Sequence, residues 1–216
     1  MNMVLENVIA RNLLQINAIK LNPQNPFTWA SGMRSPIYCD NRITLSYPEV
    51  RNVIIKGFVE IASAYTNVEA ICGVATAGIP HGALLADRLH LPFAYVRASA
   101  KSHGRQNLIE GELTSGTKVL VIEDLISTGG SSLEAVNILR ENGIEVIAVL
   151  AIFDYGFQKA KNNFENANCT YKTLSHYDVL LSEATQMKYI TDGEKKILSS
   201  WRKDPENWFT NTSHKE

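Results

Sequence analysis

Glu123 and Asp124 are adjacent acids placed directly after Lys118 and the apolar run 119–122, and directly before Leu125, Ile126 and the small-residue stretch Ser127-Thr128-Gly129-Gly130-Ser131-Ser132. The run suits a short strand buried on both faces of a parallel sheet, and Leu133, Val136 and Leu139 continue the chain at helical spacing. Two carboxylates at the carboxyl end of a central strand lie where open α/β sheets place their ligands. The Gly-Gly turn brings main-chain N–H groups and the positive end of a helix dipole to one spot. Ser127, Thr128 and Ser131 add hydroxyls there. That is an anion cradle with an acidic rim. The acids would repel a bare phosphate, so they require something positive to face: sugar hydroxyl protons, a Mg²⁺ shell or a developing cation. A phosphorylated sugar supplies all three.

Two other phosphate motifs are excluded. A Walker loop ends in Gly-Lys-Ser/Thr, and no Lys lies between Glu123 and the end of the following helix. A dinucleotide fingerprint spaces its glycines GxGxxG, whereas these are adjacent. No local Ser-His-Asp or Cys-His signature supports a nucleophilic mechanism.

The elements that must position this stretch are those of one α/β domain. The 216 residues suffice for a single core with a small subdomain. A helix is predicted at 4–14, and Pro23, Pro26, Gly32 and Pro36 make 22–41 irregular or short-stranded. Ser46 as cap and Pro48 in the first turn open a second helix. Strands are predicted at 70–74, 93–96 and 145–153, with an edge strand at 169–174. Between the first two of these, 75–80 is a second small-residue turn before a helix carrying Leu84, Leu85 and Leu89. An amphipathic segment is expected at 157–164 and helices at 177–183 and 192–201. The polar tail from Lys203 is expected to fray. From Ala98 to Gly116 no period is visible; Lys101, His103 and Arg105 sit there with Gly104 and Gly111, as a lid over a pyrophosphate would need.

Composition narrows the class. With 21 Lys plus Arg against 22 Asp plus Glu the formal charge is −1, which speaks against a nucleic-acid or anionic-membrane surface. The longest apolar run, at 146–153, is eight residues, too short to span a bilayer. The first residues lack the layout of a signal peptide, and a cytoplasmic protein is expected. Cys39, Cys72 and Cys169 lack metal-ligand spacing and read as reduced thiols.

Three segments together resemble the orotate phosphoribosyltransferases, of the type I phosphoribosyltransferase family. FTWASGMRSPIYCDNR at 27–42 is similar to that family's N-terminal hood. YVRASAKSHGRQNLIEG at 95–111 is similar to its catalytic loop, and VLVIEDLISTGGSS at 119–132 to its 5-phosphoribosyl-1-pyrophosphate (PRPP) motif. The resemblance implies a mostly parallel central sheet flanked by helices, with a small N-terminal hood (about 1–45), a mobile catalytic loop (about 98–114) and a polar tail (about 203–216), all in one domain at 1–216. It implies transfer of the phosphoribosyl group from PRPP to N1 of orotate, with inversion, giving orotidine 5′-monophosphate and pyrophosphate. Mg²⁺ would be held mainly by PRPP oxygens and water, with no metal site built by the protein alone.

The resemblance also assigns residues. PRPP falls to Arg97, Lys101, His103 and the run Glu123, Asp124, Leu125, Ile126, Ser127, Thr128, Gly129, Gly130 and Ser131. Orotate falls to Ser127, and catalysis to Lys101, His103 and Asp124. It further implies a homodimer whose loop reaches the neighbouring subunit's site. Departures from the pattern are Ala30, Ala77 and Ala98, where relatives carry cations, and the absence of Arg in Phe153-Asp154-Tyr155-Gly156-Phe157. Arg34 and Arg42 are candidates to replace them. A PRPP-binding regulator on the same fold would discard the loop cations and show a basic face, and a purine phosphoribosyltransferase would share only the third segment. Both therefore rank behind the orotate reading.

Overall fold

The computed structural model describes residues 3–29, 31–97 and 108–209. Helix α1 (Met3–Gln15) packs its apolar side, Ile9, Ala10, Leu13 and Leu14, into the core. The hood follows as short strands β1 (Ile19–Leu21), β2 (Phe27–Thr28), β3 (Arg34–Ser35) and β4 (Ile37–Cys39) and a 3-10 helix, Asn41–Ser46. The prolines and Gly32 confine it to two antiparallel ribbons, β1 with β4 and β2 with β3. Helix α2 (Pro48–Ala62) begins with its proline in the first turn. Its N-cap, however, is Tyr47 and not Ser46, because Ser46 is taken up as the last residue of the 3-10 helix.

The domain proper alternates strands and helices: β5 (Ala70–Val74), α3 (Gly78–Leu89), β6 (Phe93–Val96), β7 (Ile109–Glu110), β8 (Lys118–Ile126), α4 (Gly130–Glu141), β9 (Glu145–Asp154), α5 (Gln158–Asn166), β10 (Tyr171–His176), α6 (Tyr177–Gln186) and α7 (Asp192–Lys203). Six strands form one sheet in the order β10-β9-β8-β5-β6-β7, parallel except for β7. Side chains alternate across it. Ile71, Leu120, Ile122, Leu150 and Ile152 join the core of α1, α2, α3 and α6, while Cys72, Val119, Val121, Val149 and Ala151 join that of α4 and α5. Burial on both faces explains why β8 and β9 read as unbroken apolar runs.

The strand order reverses between β5 and β8, so the loops after them diverge to opposite faces and leave a crevice at their carboxyl ends. At that point β8 departs from expectation. The ladder with β9 continues through Glu123 opposite Ala151 to Ile126 opposite Asp154, so both acids lie inside the strand. The small-residue turn is correspondingly short, since α4 already begins at Gly130. In the stretch expected to lack structure, β7 pairs antiparallel with β6. The tail is also more ordered than expected: Trp208 is buried, and the Arg34 guanidinium lies over the Phe209 ring at 4.9 Å. No helix among the described residues is long and apolar enough to cross a membrane.

Candidate active site

Glu123 is the more enclosed of the two adjacent acids, only 5% exposed. Its Oε2 accepts the Ser131 and Ser132 hydroxyls, both at 3.2 Å, and its Oε1 accepts the Asp124 N–H at 3.0 Å. The side chain thus ties the end of β8 to the first turn of α4. Burial, and after it the neighbouring Asp124, push the Glu123 carboxyl well above its ordinary range. Burial also raises Asp124, opposed by its hydrogen bond with Glu123 and by the positive charge of Arg42. The pair therefore holds a proton between them at pH values where an exposed pair has lost both.

The turn itself is set by Gly129, at φ +81°. A Cβ there would lie 2.6 Å from Cε2 of Phe164, so only glycine both adopts the left-handed conformation and clears the ring. From α5, the Asn163 amide donates to the Thr128 carbonyl at 2.9 Å. With that carbonyl held away by Asn163, the N–H groups at the start of α4 are left for an anion. Ser131 serves Glu123 with its hydroxyl, which revises its expected part: it braces the acid as well as facing the cradle.

The second turn, Ala75 to Ala77, lies across the crevice at the end of β5. Here Gly78 is obligatory, since its Cβ would run into the carbonyl oxygen of Ile122 on β8. Close contact between α3 and β8 brings the two turns together. At the end of β6, Arg97 pairs with Glu110 on β7 at 3.3 Å, and its N–H donates to the Leu108 carbonyl at 2.8 Å. The chain thus leaves for residues 98–107 and returns at one place beside the crevice. Lys101 and His103, with Ala98, lie outside the described residues, as does Ala30 in the hood.

The hood closes one side of the site through a residue that pattern reasoning missed. Asn41, fully buried, donates its amide to the Asp124 carbonyl at 2.7 Å. Arg42 forms a two-pronged pair with Asp40, at 2.6 and 2.9 Å, and is 64% exposed, near enough for its charge to act on Asp124. Arg34 donates to Thr28 Oγ1 at 3.1 Å and stacks on Phe209, away from the acids' hydrogen-bond network. Of the two candidate replacement cations, Arg42 is the one electrostatically linked to the acid pair. Between hood and turn opens a cavity of about 230 Å³, lined by Met33, Ser127, Thr128 and Phe157 and, unexpectedly, by the end of α7 at Arg202 and Lys203. Among the described residues no cluster of three or more His, Cys, Asp or Glu is arranged to hold a metal ion. Two carboxylates beside an anion cradle fit a Mg²⁺ that brings most of its oxygen ligands with a phosphorylated substrate.

Residues 48–185 match the family model described as a phosphoribosyl transferase domain. The chain is 54% identical over 201 residues to an orotate phosphoribosyltransferase of Cytophaga hutchinsonii, covering 93% of this chain and 96% of that one. It is 53% identical over 207 residues to one of Bacillus pumilus, covering 94% and 98%. Among solved structures, the orotate phosphoribosyltransferase of Aeropyrum pernix superposes with a TM-score of 0.69 at 29% identity, covering 81% of this chain and 98% of that one. A Leishmania donovani UMP synthase gives 0.79 at 25% identity, covering 92% of this chain and 42% of the larger protein.

Proposed function

The chain belongs to the orotate phosphoribosyltransferase family, and we propose on that premise that the acid pair and glycine turn of β8 and α4 seat PRPP, with orotate beneath the hood against Ser127. It transfers the 5-phosphoribosyl group from PRPP to orotate, giving orotidine 5′-monophosphate and pyrophosphate in pyrimidine biosynthesis. The observation that carries the site assignment is the single construction in which Glu123 joins β8 to α4 through Ser131 and Ser132, beside the turn fixed by Gly129.

In this reading the main-chain N–H groups from Ser127 to Ser131, with the Thr128 hydroxyl, hold the 5′-phosphate at the positive end of α4. Leu125 and Ile126 carry the backbone into the turn. Asp124, more accessible than Glu123, accepts from the ribose hydroxyls and faces the positive charge that grows on the sugar as the bond from C1 to pyrophosphate breaks. Glu123 takes the adjoining hydroxyl and keeps the acid pair oriented through its serines. Arg97, Lys101 and His103 neutralise the departing pyrophosphate, and His103 hands it a proton. The base attacks C1 from the opposite face, so configuration inverts. Asp124 would lie beside a Mg²⁺ that enters with PRPP, and such an ion would supply charge neutralisation on the pyrophosphate.

We further infer a homodimer in which the 98–107 segment of one subunit serves the site of the other. What supports this reading is the family resemblance of residues 95–111, together with β7 standing at the edge of the sheet, where a second subunit can approach. Three free cysteines, two of them buried, agree with a reducing, cytoplasmic setting.

The test is orotate consumption, followed by its absorbance, with PRPP and Mg²⁺, against uracil, adenine and hypoxanthine, for wild type and Lys101→Ala. The expected result is turnover of orotate alone, with the variant slowed by more than its loss of PRPP affinity. PRPP binding without turnover of any base would refute the enzyme assignment.

A further inference from the structure

Orotate carries a carboxylate that stays ionised at neutral pH. A charge of that kind, taken into a pocket, needs a fixed cation. The cavity between the hood and the glycine turn, at about 230 Å³, is smaller than the roughly 300–1,000 Å³ of drug-sized pockets and suits a single heterocycle. β9 offers it no cation. Tyr155, which follows that strand, is buried against Trp29 at 5.4 Å and Trp201 at 5.9 Å between ring centroids.

That aromatic contact clamps the end of α7 to the end of β9, and the residue after Trp201 is Arg202. Its side chain is 29% exposed. NH1 donates to Asp178 Oδ2 at 2.6 Å, the Cζ lies 5.6 Å from the centre of the Tyr177 ring, and NH1 passes within 3.4 Å of where a Gly156 Cβ would stand. The other two cations on the cavity are looser. Lys159 is 66% exposed and drawn to Glu206 at 3.9 Å, and Lys203 is exposed. Arg202 therefore combines restricted motion with a planar fork that matches a carboxylate, and Asp178 engages only one of its two terminal nitrogens.

We propose that Arg202, delivered by α7, is the cation that receives the carboxylate of orotate and so determines the base the enzyme accepts. The proposal rests on the orotate reading of the preceding section. Gly156, at φ +70°, keeps the left-handed turn after β9 that glycine favours, and it lies beside the guanidinium without crowding it.

The experiment compares Arg202→Gln, Arg202→Lys and Asp178→Asn with wild type, measuring KM for orotate and PRPP, kcat, and inhibition by the neutral 6-carboxamide of uracil. Arg202→Gln is expected to raise the KM for orotate by about 10- to 100-fold, the scale of a lost charge-assisted hydrogen bond. The KM for PRPP should stay within about 3-fold, because the PRPP seat is built from other elements. Preference for orotate over the carboxamide should fall with it. Arg202→Lys should restore part of the affinity by charge alone, and Asp178→Asn, which removes the ion pair but keeps the cation, should leave the preference for the carboxylate intact. Active wild type with an unchanged orotate KM in Arg202→Gln would overturn the proposal, as would equal increases in both Michaelis constants. Wild type that consumes no orotate would instead defeat the underlying functional reading, and this inference with it.

Discussion

Replacing Asn41 by Ala should uncouple the hood from the acid pair. Pairing of β5 with β8 ends at Gly73 opposite Ile122, two residues before Asp124, so the Asp124 carbonyl has lost its strand neighbour on that side. The buried Asn41 amide, at 2.7 Å, substitutes for it. Alanine leaves that acceptor without a donor in an enclosed place, a cost of about 1–3 kcal/mol. For a domain of this size each kcal/mol lowers Tm by about 2–4 °C, so a fall of about 2–12 °C is expected. The kinetic effect should be larger in proportion. The freed carbonyl belongs to Asp124 itself, and misplacing a reacting group by about 1 Å costs about 100-fold. kcat/KM for PRPP should therefore drop by about 10- to 100-fold. Thr44→Val is the comparison: it removes the hydroxyl that donates to the Asn41 carbonyl at 2.6 Å but leaves the amide in place. It should cost about 1 kcal/mol and little activity. Urea unfolding and steady-state kinetics on both variants decide the matter. Asn41→Ala with less than about 0.5 kcal/mol lost and kcat/KM within about 2-fold of wild type would refute the reasoning, since such a change is no larger than an ordinary surface substitution.

Other predictions follow from single contacts. His81 is fully buried with neither ring nitrogen bonded, and burial followed by the charge of Arg51 pushes it down to about 4. Its folded value lies below the unfolded one of about 6.5, so its contribution is complete above about pH 6.5 and is lost as pH falls towards 4, about 3 kcal/mol in all. His81→Leu should flatten the fall in unfolding free energy between pH 6.5 and 4.5, and an unchanged slope would count against this. Gly129→Ala should cost about 1–2 kcal/mol from its left-handed backbone alone and more from Phe164, with weaker PRPP binding. Gly130→Ala, whose Cβ would meet nothing nearer than Thr128 Oγ1 at 3.9 Å, should unfold close to wild type, and equal losses in the two variants would contradict the account. Arg11→Met strips the buried Glu183 of contacts at 2.6 and 2.9 Å, leaving only the Asn7 amide at 2.6 Å, and should cost about 1–3 kcal/mol. Adding Glu183→Leu should recover much of that in a denaturation double-mutant cycle.

Strands buried on both faces were the most legible part of the chain. β5 and β6 run over the predicted 70–74 and 93–96, because continuous apolar runs leave little choice of boundary. For β8 the apolar run stops at Ile122, because Glu and Asp break it, yet the strand continues to Ile126. They stay in the strand because Ser131 and Ser132 satisfy Glu123 from a turn away, a relation that exists only after folding. β10 begins at Tyr171, two residues later than expected, since Cys169 N–H still closes the end of α5 by donating to Phe164 and Asn168 takes φ 46°. The polar composition of the tail predicts fraying, but Trp208 and Phe209 pack where hood and α7 meet. Arg202 had no local signal at all: on sequence it is one more base in the last turn of an amphipathic helix.

What unites the parts found only in the structure is the way they hold the site without spending its charge. The ligand is an anion, so any cation used to fix the loops would compete with one needed to bind it. Instead two neutral amides do the fixing: Asn41 on the Asp124 carbonyl and Asn163 on the Thr128 carbonyl. Each takes an acceptor, turning carbonyl dipoles away from the crevice and leaving the N–H groups of the α4 start to face it. The serines on Glu123 act in the same sense, holding a carboxylate in place with hydroxyls so that no lysine or arginine need sit beside it. No cation is therefore drawn onto Glu123 or the Thr128 carbonyl, and Arg97 and Arg202, although paired with Glu110 and Asp178, are left at the two places where substrate charge must be met, the departing pyrophosphate and the carboxylate of the base. The missing basic side chain at Ala77 is consistent with this division, since the turn it occupies is already positioned by the contact of Gly78 with β8.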